Sequence, residues 1–233
     1  PQNPTQIKIG RRLAIKVLNA AKFVLSFPVT EGAEVTNAVD ASMLATLDGV
    51  IADATKALEA FDHARALEIT EQFFWTFCDD YLELVKERAY DQDNEGQASA
   101  ALALRLALSS LLRLLAPVLV FAAEESWSWF NDGSVHTAPW PAPSDSWGDP
   151  AVLATASAAL IRIRGAKTNA KASQKTAVSL AVISADETTV SLLRLADGDL
   201  RAVGRIAELQ LVTDVEHSSG MTVESIELAP VEA

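Results

Sequence analysis

Two stretches of the chain combine several cations with no acidic residue, a pattern typical of a surface that binds phosphates. The first stretch opens the sequence and ends before Glu31, the first acidic residue. On a helix with about 100° of rotation per residue, its cationic, amide and aromatic side chains fall within about 140° of arc. These side chains are Lys8, Arg11, Arg12, Lys16, Asn19, Lys22 and Phe23.

Each side-chain type on this face has a role in binding single-stranded RNA. Lysine and arginine pair with phosphates, Asn19 can hydrogen-bond a base edge, and Phe23 can stack on a base. The opposite face carries Leu13, Val17 and Val24, which can pack on other helices. A solvated amphipathic helix with a basic face explains the same residues equally well, so both interpretations stand at this point.

The second acid-free stretch contains Arg162, Arg164, Lys167, Lys171 and Lys175. Arg162 and Arg164 lie about 200° apart on a helix and share no face there. The three lysines recur every four residues and would share a face if they were helical, whereas a solvated basic loop explains them equally well. We predict a second, weaker polyanion contact at Arg162, Arg164, Lys167 and Lys171.

The charge of the chain is strongly segregated. The two stretches hold ten of the 19 Lys and Arg residues, although the net charge is −12. The remaining cations are set against all 31 Asp and Glu residues. This distribution predicts one polyanion-binding face on a body that otherwise repels polyanions.

The sequence contains no constellation of residues suited to catalysis or to metal binding. The three histidines lack ligand spacing, and the single cysteine, Cys78, excludes an internal disulfide. Asp79–Asp80 and Glu124–Glu125 are adjacent pairs, whose side chains diverge on a helix. Glycine-rich phosphate-binding motifs are missing. We therefore predict no catalytic residue, no metal site and no cofactor in this chain.

Helical patterns fill the first 130 residues. Apolar spacing predicts helices at 7–27, 39–60, 64–90 and 97–129, with Asn37 and Asp62 as N-caps of the second and third. The fourth is apolar on nearly every side, which is typical of a buried central helix, and Pro117 is expected to kink it. Trp75 and its aromatic neighbours are assigned to packing between helices.

The pattern changes after residue 130. Residues 130–150 are rich in proline and contain Trp140 and Trp147, which indicates an ordered loop packed on the helices. A fifth helix is predicted at 151–167, strands at 177–184, 208–213 and 221–228, and a short helix at 188–195. The predicted fold class is mainly α: an antiparallel helical bundle over residues 1–150, then a small α/β module over 151–233.

Composition bears on where the chain acts. The longest apolar runs are interrupted by Arg105, Arg113 and Pro117 before they reach the roughly 18 residues of a membrane span. No signal peptide opens the sequence, and a single cysteine fits a reducing compartment. We predict a cytoplasmic monomer without membrane contact, and the polar start without Met fits a piece of a longer protein.

Four segments resemble, in order, the anticodon-binding domain of the valyl-tRNA synthetases, a family of class I aminoacyl-tRNA synthetases. They are KIGRRLAIKVLNAAKFV at 8–24, FFWTFCDDYLELVK at 73–86, LAPVLVFAAEESW at 115–127 and GSVHTAPWP at 133–141. Residues 151–184 match more loosely. One departure is that many bacterial members end in a helical coiled-coil arm, whereas strands are predicted here.

The resemblance implies a function for the whole chain. The family joins an amino acid to its tRNA through an adenylate made from ATP, with Mg²⁺, in a catalytic domain whose His-Ile-Gly-His and Lys-Met-Ser-Lys-Ser signatures are missing here. This piece would be catalytically silent and would bind the anticodon stem-loop of a valine tRNA beside the catalytic domain of the same polypeptide. Arg11, Arg12, Lys16 and Lys22 would hold phosphates.

Other interpretations remain open at the level of the sequence. The same region of an isoleucyl- or leucyl-tRNA synthetase fits the helical motifs, although the paired cysteines of the isoleucyl zinc module are missing. A helical protein-interaction module without RNA binding fits the net acidity and the predicted strands. A free-standing enzyme fits worst, because the sequence offers no site.

Replacing Lys16 and Lys22 with glutamate is expected to weaken tRNA binding sharply, because each change removes a cation and adds an anion to the proposed face. The measurement is equilibrium binding of tRNA over a range of salt concentrations. Binding through about five cations predicts a steep fall of affinity with salt, which a protein-interaction patch need not show. Unchanged affinity in the double variant would contradict the assignment.

Overall fold

A helical bundle and a three-stranded sheet make up the computed structural model, which describes residues 4–144, 146–214 and 220–229. Residues 1–3, 145, 215–219 and 230–233, which fall within the two predicted domains, lie outside the described residues. The mainly α fold class with a small α/β module is confirmed. The domain boundary at residue 150 stays a prediction.

Over residues 4–144, the bundle contains six helices and two short helical turns. The helices are α1 (Pro4–Leu25), α2 (Ala38–Glu59), α3 (His63–Thr76), α4 (Leu82–Tyr90), α5 (Gln97–Leu115) and α6 (Val120–Ser128). A π-helical turn, Phe77–Tyr81, joins α3 to α4, and a 3₁₀ turn, Val135–Thr137, lies in the loop that closes the bundle.

The C-terminal part begins with another long helix. Its elements are α7 (Ala151–Asn169), β1 (Val178–Ala185), α8 (Glu187–Leu195), α9 (Asp197–Gly204), β2 (Ile206–Thr213) and β3 (Thr222–Leu228). The strand order is β2–β1–β3, with β1 parallel to β2 and antiparallel to β3. The crossover between the parallel strands contains α8 and α9.

The predicted helix starts are confirmed by their capping hydrogen bonds. The Asn37 side chain accepts a bond from the Val39 N–H at 2.8 Å, and the Asp62 side chain accepts one from the Arg65 N–H at 3.0 Å. Each bond satisfies a backbone donor that has no partner within the first turn of the helix.

Two predicted helices are interrupted. The helix predicted at 64–90 contains the π-helical turn, an insertion that hydrophobic spacing alone does not reveal. The prediction of a single kinked helix at 97–129 is wrong, because α5 ends at Leu115 and α6 begins only at Val120. Pro117 lies in the break, where its ring and its missing N–H oppose a continuous helix.

One hydrophobic core runs through the bundle and the C-terminal part. It includes Leu108 of α5, Ile163 of α7 and Ile183 of β1. By length and composition α5 alone among the described helices could span a membrane, but 61% of that apolar stretch is buried inside this core. The described parts of the closing loop pack on the helices as predicted, since Trp147 packs against the core and the Trp140 indole N–H donates to Thr55 Oγ1 at 2.8 Å.

A buried arginine joins the bundle to the C-terminal part. Arg88 of α4, only 7% exposed, donates from Nη1 and Nη2 to both carboxylate oxygens of Asp40 in α2 at 2.8 and 2.9 Å. Its Nε and Nη2 donate to both oxygens of Asp199 in α9 at 2.8 and 2.9 Å, and Nη1 also donates to the Gly96 carbonyl. All five guanidinium N–H groups therefore have an acceptor, on α2, on α9 or on the Gly96 carbonyl ahead of α5.

The Asp40 carboxylate is satisfied from a second side. It accepts hydrogen bonds from the Tyr81 hydroxyl at 2.7 Å and the Ser99 hydroxyl at 2.6 Å. Ser99 Oγ in turn accepts the N–H groups of Thr36 and Asn37 ahead of α2. Burial, and then the nearby Asp40 charge, raise the pKa of Tyr81, which keeps its hydroxyl a donor. We name Arg88, Asp40, Asp199, Tyr81 and Ser99 the arginine network.

Arg88→Met is expected to lower the free energy of unfolding by about 3–5 kcal/mol, because it leaves two buried carboxylates without their cation. The measurement is urea unfolding followed by circular dichroism. Arg65→Met is the matched control, since the ion pair of Arg65 with Glu68 is exposed and such pairs contribute about 1 kcal/mol or less. Equal effects of the two substitutions would contradict a structural role for the network.

Candidate nucleic-acid interface

The first helix turns its cations away from the core. Leu13, Val17 and Val24 are buried against the bundle, as the helical spacing predicted. The side chains of Lys8, Arg11, Arg12, Asn19 and Lys22 are exposed, and Lys16 is half-buried. These six residues form the α1 face. Ile15 is also exposed and interrupts the polar surface.

Most cations of the α1 face lack an acidic partner. Lys16 Nζ lies 3.0 Å from Asp79 Oδ1 of the π-helical turn. In the described part of the chain, the other four cations have no acidic oxygen within the 4.0 Å of an ion pair. No carboxylate therefore neutralises their charges, which can attract phosphates, whereas the charge of Lys16 is partly neutralised.

Two tryptophans from other helices lie against the α1 face. The guanidinium carbon of Arg12 is 5.5 Å and Lys16 Nζ 5.6 Å from the ring centroid of Trp75 in α3. Lys22 Nζ is 5.7 Å from the ring centroid of Trp129, at the end of α6. Sequence reasoning assigned Trp75 only to packing and gave Trp129 no role, because contacts between distant helices leave no spacing signal.

The neighbours of Phe23 are aromatic. Its half-buried ring meets Phe27 and Tyr90 edge to face, with centroid distances of 5.1 and 6.1 Å. It also lines, with Lys16 and Asn19, a shallow pocket of about 260 Å³. The ring is thus held in one orientation beside the α1 face, and its stacking on a base stays a prediction.

The prediction that Lys167 contacts a phosphate is wrong. Its side chain is only 1% exposed, and its ammonium donates to the carbonyls of Gln174, Thr176 and Gly204 at 3.1, 2.8 and 2.7 Å. Three donors meet three acceptors, so none is left for a ligand. Burial, with a smaller contribution from the Arg205 charge, lowers the pKa of Lys167.

The rest of the second basic stretch does not form a common face. Arg164 Nη2 lies 3.6 Å from Glu83 Oε2 of α4, whereas Arg162 is exposed near Gly220. Because α7 ends at Asn169, Lys171 falls in the following turn with a φ of 54°. The interpretation in which the three lysines share one helical face is therefore wrong. RNA contacts of Arg162, Arg164 and Lys171 stay predictions.

Acidic residues of the π-helical turn separate the two basic stretches. Asp79 pairs with Lys16 of α1, and Asp80 lies near Arg164 of α7. Burial, and then the Asp79 charge, raise the pKa of Asp80, while Arg164 lowers it. A phosphate chain that bridged both stretches would pass over these carboxylates, which favours the α1 face as the separate site.

The remaining candidate reactive groups serve the fold. Burial raises the pKa of Cys78 to about 12, so its thiol is neutral and unreactive. Glu124 accepts hydrogen bonds from the Ser134 hydroxyl and the Val135 N–H, and thereby holds the closing loop. Over residues 4–144, 146–214 and 220–229, no group of three or more His, Cys, Asp or Glu side chains could hold a metal ion.

Comparison with known proteins decides the family. A family model described as the anticodon-binding domain of tRNA ligase matches residues 40–183, more than half of the chain. The chain belongs to this family. The match begins within α2, so the α1 face lies outside the matched residues and ahead of them in the sequence.

Several similar proteins are valine–tRNA ligases. That of Leifsonia xyli is 59% identical over 93% of this chain, that of Cutibacterium acnes 49% over 91%, and that of Thermobifida fusca 49% over 97%. The chain spans about a quarter of the length of each (26%, 25% and 26%). The resemblance to the valyl family is confirmed.

A solved LeuRS–tRNA–LeuAMS ternary complex from Agrobacterium radiobacter K84 is a more distant likeness. It is 16% identical with a TM-score of 0.41, over 91% of this chain and 26% of that chain. A likeness at this level supports no argument.

Lys167→Met is expected to lower the free energy of unfolding by about 2–4 kcal/mol, because three buried carbonyls lose their donor. RNA affinity of the folded variant is expected to be unchanged. Thermal and urea unfolding with an RNA-binding assay test both points, and Lys56→Met serves as an exposed control outside both basic stretches. A Lys167 variant of normal stability that binds RNA weakly would reverse this assignment.

Proposed function

We propose that this chain binds the anticodon stem-loop of a valine tRNA, as part of a cytoplasmic, monomeric valine–tRNA ligase. The observation that carries the proposal is the exposed, acid-free α1 face in a chain of the anticodon-binding family. ATP and Mg²⁺ would be used by a catalytic domain elsewhere in the same polypeptide, to which this chain contributes no reacting group.

Electrostatics supports a phosphate-bearing partner. Lys8, Arg11, Arg12 and Lys22 are exposed cations without an acidic partner within the described residues. Single-stranded nucleic acid releases roughly 0.7 counterions for each phosphate that a cation neutralises. Four such contacts give a logarithmic salt dependence of about −3, and the net charge of −12 repels RNA from the remaining surface.

The relatives support valine as the amino acid of the parent enzyme. The three relatives compared by sequence above are valine–tRNA ligases, with identities that extend over nearly the whole chain. An isoleucine or leucine tRNA remains the competing ligand, because the class I enzymes for these amino acids share the helical bundle.

The test is binding of the chain to a fluorescent valine-tRNA anticodon stem-loop, beside an isoleucine-tRNA stem-loop and a scrambled loop, at two salt concentrations. Tighter binding of the valine stem-loop, weakened by salt, is expected. Equal binding of all three RNAs would mean that specificity resides elsewhere in the ligase. No binding by a folded sample would contradict the proposal and favour a protein-interaction role.

A pair of charge reversals sharpens this test. Lys22→Glu is expected to weaken stem-loop binding at least tenfold and to make the salt dependence less steep. Lys56→Glu, at an exposed position of α2, makes the same change of net charge outside the α1 face and is expected to have little effect.

A further inference from the structure

Two indole rings beside the α1 face are held in the same manner. The Trp75 N–H donates to Glu71 Oε1 at 3.2 Å, and the Trp129 N–H donates to Glu125 Oε1 at 3.1 Å. In both cases the glutamate lies four residues earlier, so each ring is fixed from its own helix. Trp75 is half-buried and Trp129 is 36% exposed.

Cations of α1 cover both rings in the free protein. Arg12 and Lys16 lie over Trp75, and Lys22 lies over Trp129, at centroid distances of 5.5, 5.6 and 5.7 Å. A cation on an exposed indole is held weakly, and a nucleobase stacked on an aromatic ring is held more strongly. A base can therefore displace the cation, which is then free to pair with a phosphate.

The two rings lie beside different parts of α1. Lys16, over Trp75, and Lys22, over Trp129, are six residues apart, which is about 9 Å along the helix axis and about 120° around it. The α1 face therefore has cations together with one indole near each of these two positions. Cations combined with aromatic rings are typical of surfaces that bind single-stranded nucleic acid.

We propose that Trp75 and Trp129 are stacking platforms for unpaired nucleobases, covered by α1 cations until RNA binds. This inference rests on the proposed function, because it requires that the α1 face bind RNA. To that function it adds the chemical group that the two tryptophans bind, which is the flat face of a nucleobase. Every base has such a face. The platforms therefore contribute affinity for a single-stranded loop and little sequence selectivity.

The test is equilibrium binding of the valine-tRNA stem-loop to Trp75→Leu and Trp129→Leu. Each substitution is expected to weaken binding by about 5- to 150-fold, the range for losing one base–aromatic stack. The salt dependence is expected to stay at the wild-type value, because no phosphate contact is lost. Lysine substitutions, in contrast, change that slope.

Matched variants separate stacking from structural effects. Trp75→Phe and Trp129→Phe keep an aromatic face without the indole N–H and are expected to recover most of the affinity. Trp140→Leu is the control for an exposed tryptophan, since Trp140 lies in the closing loop on Thr55 of α2. A stem-loop with abasic loop positions is expected to bind wild type and both leucine variants with similar, weak affinity.

The outcomes distinguish this inference from the proposed function. If the wild-type chain binds the stem-loop and both leucine variants bind equally well, the stacking role is wrong and RNA binding stands. If wild type itself fails to bind, both proposals fail. Circular dichroism verifies that each variant is folded. If a leucine variant does not fold, the phenylalanine variant at the same position is compared with wild type instead. A phenylalanine variant that binds the intact stem-loop as weakly as wild type binds the abasic stem-loop contradicts stacking.

Discussion

The buried guanidinium of Arg88 is the interaction on which the arrangement of this molecule depends. It binds carboxylates of α2 and α9 from its position on α4, so the bundle and the C-terminal part share one charged centre. Because both carboxylates and the guanidinium are buried, none of the three can move into water without leaving an unpaired charge behind. The geometry of α4, and of the π-helical turn that precedes it, is fixed as a result.

That fixed geometry determines which side chains lie beside the α1 face. The π-helical turn brings Asp79 against Lys16, and α3 before it supplies Trp75. Lys16 is paired with an acid and also lies against an indole. Arg12 and Lys22 lie against indoles only. Lys8 and Arg11 have neither kind of partner among the described residues. Such a surface is prepared for a ligand with both negative charge and flat aromatic faces, a description that fits unpaired RNA.

Local features of this fold could be predicted from the sequence, whereas long-range contacts could not. The caps at Asn37 and Asp62, the buried stripe of α1 and the three strands follow from neighbouring residues, and they were predicted. The burial of Lys167 depends on carbonyls from a loop and from α9, a helix whose Asp-Gly-Asp start reads as a turn. The tryptophan contacts of α1 likewise join helices that are far apart in sequence.

The most direct test of the central claim, that the α1 face binds RNA, is photo-crosslinking of the chain to a valine-tRNA stem-loop with a photoreactive base in the loop. Mass spectrometry then identifies the cross-linked peptides. The account predicts cross-links in α1 and the adjoining ends of α3 and α6, lost in the presence of excess unlabelled stem-loop. Cross-links confined to β1–β3 and α8–α9, or equal labelling by a scrambled loop, would contradict it.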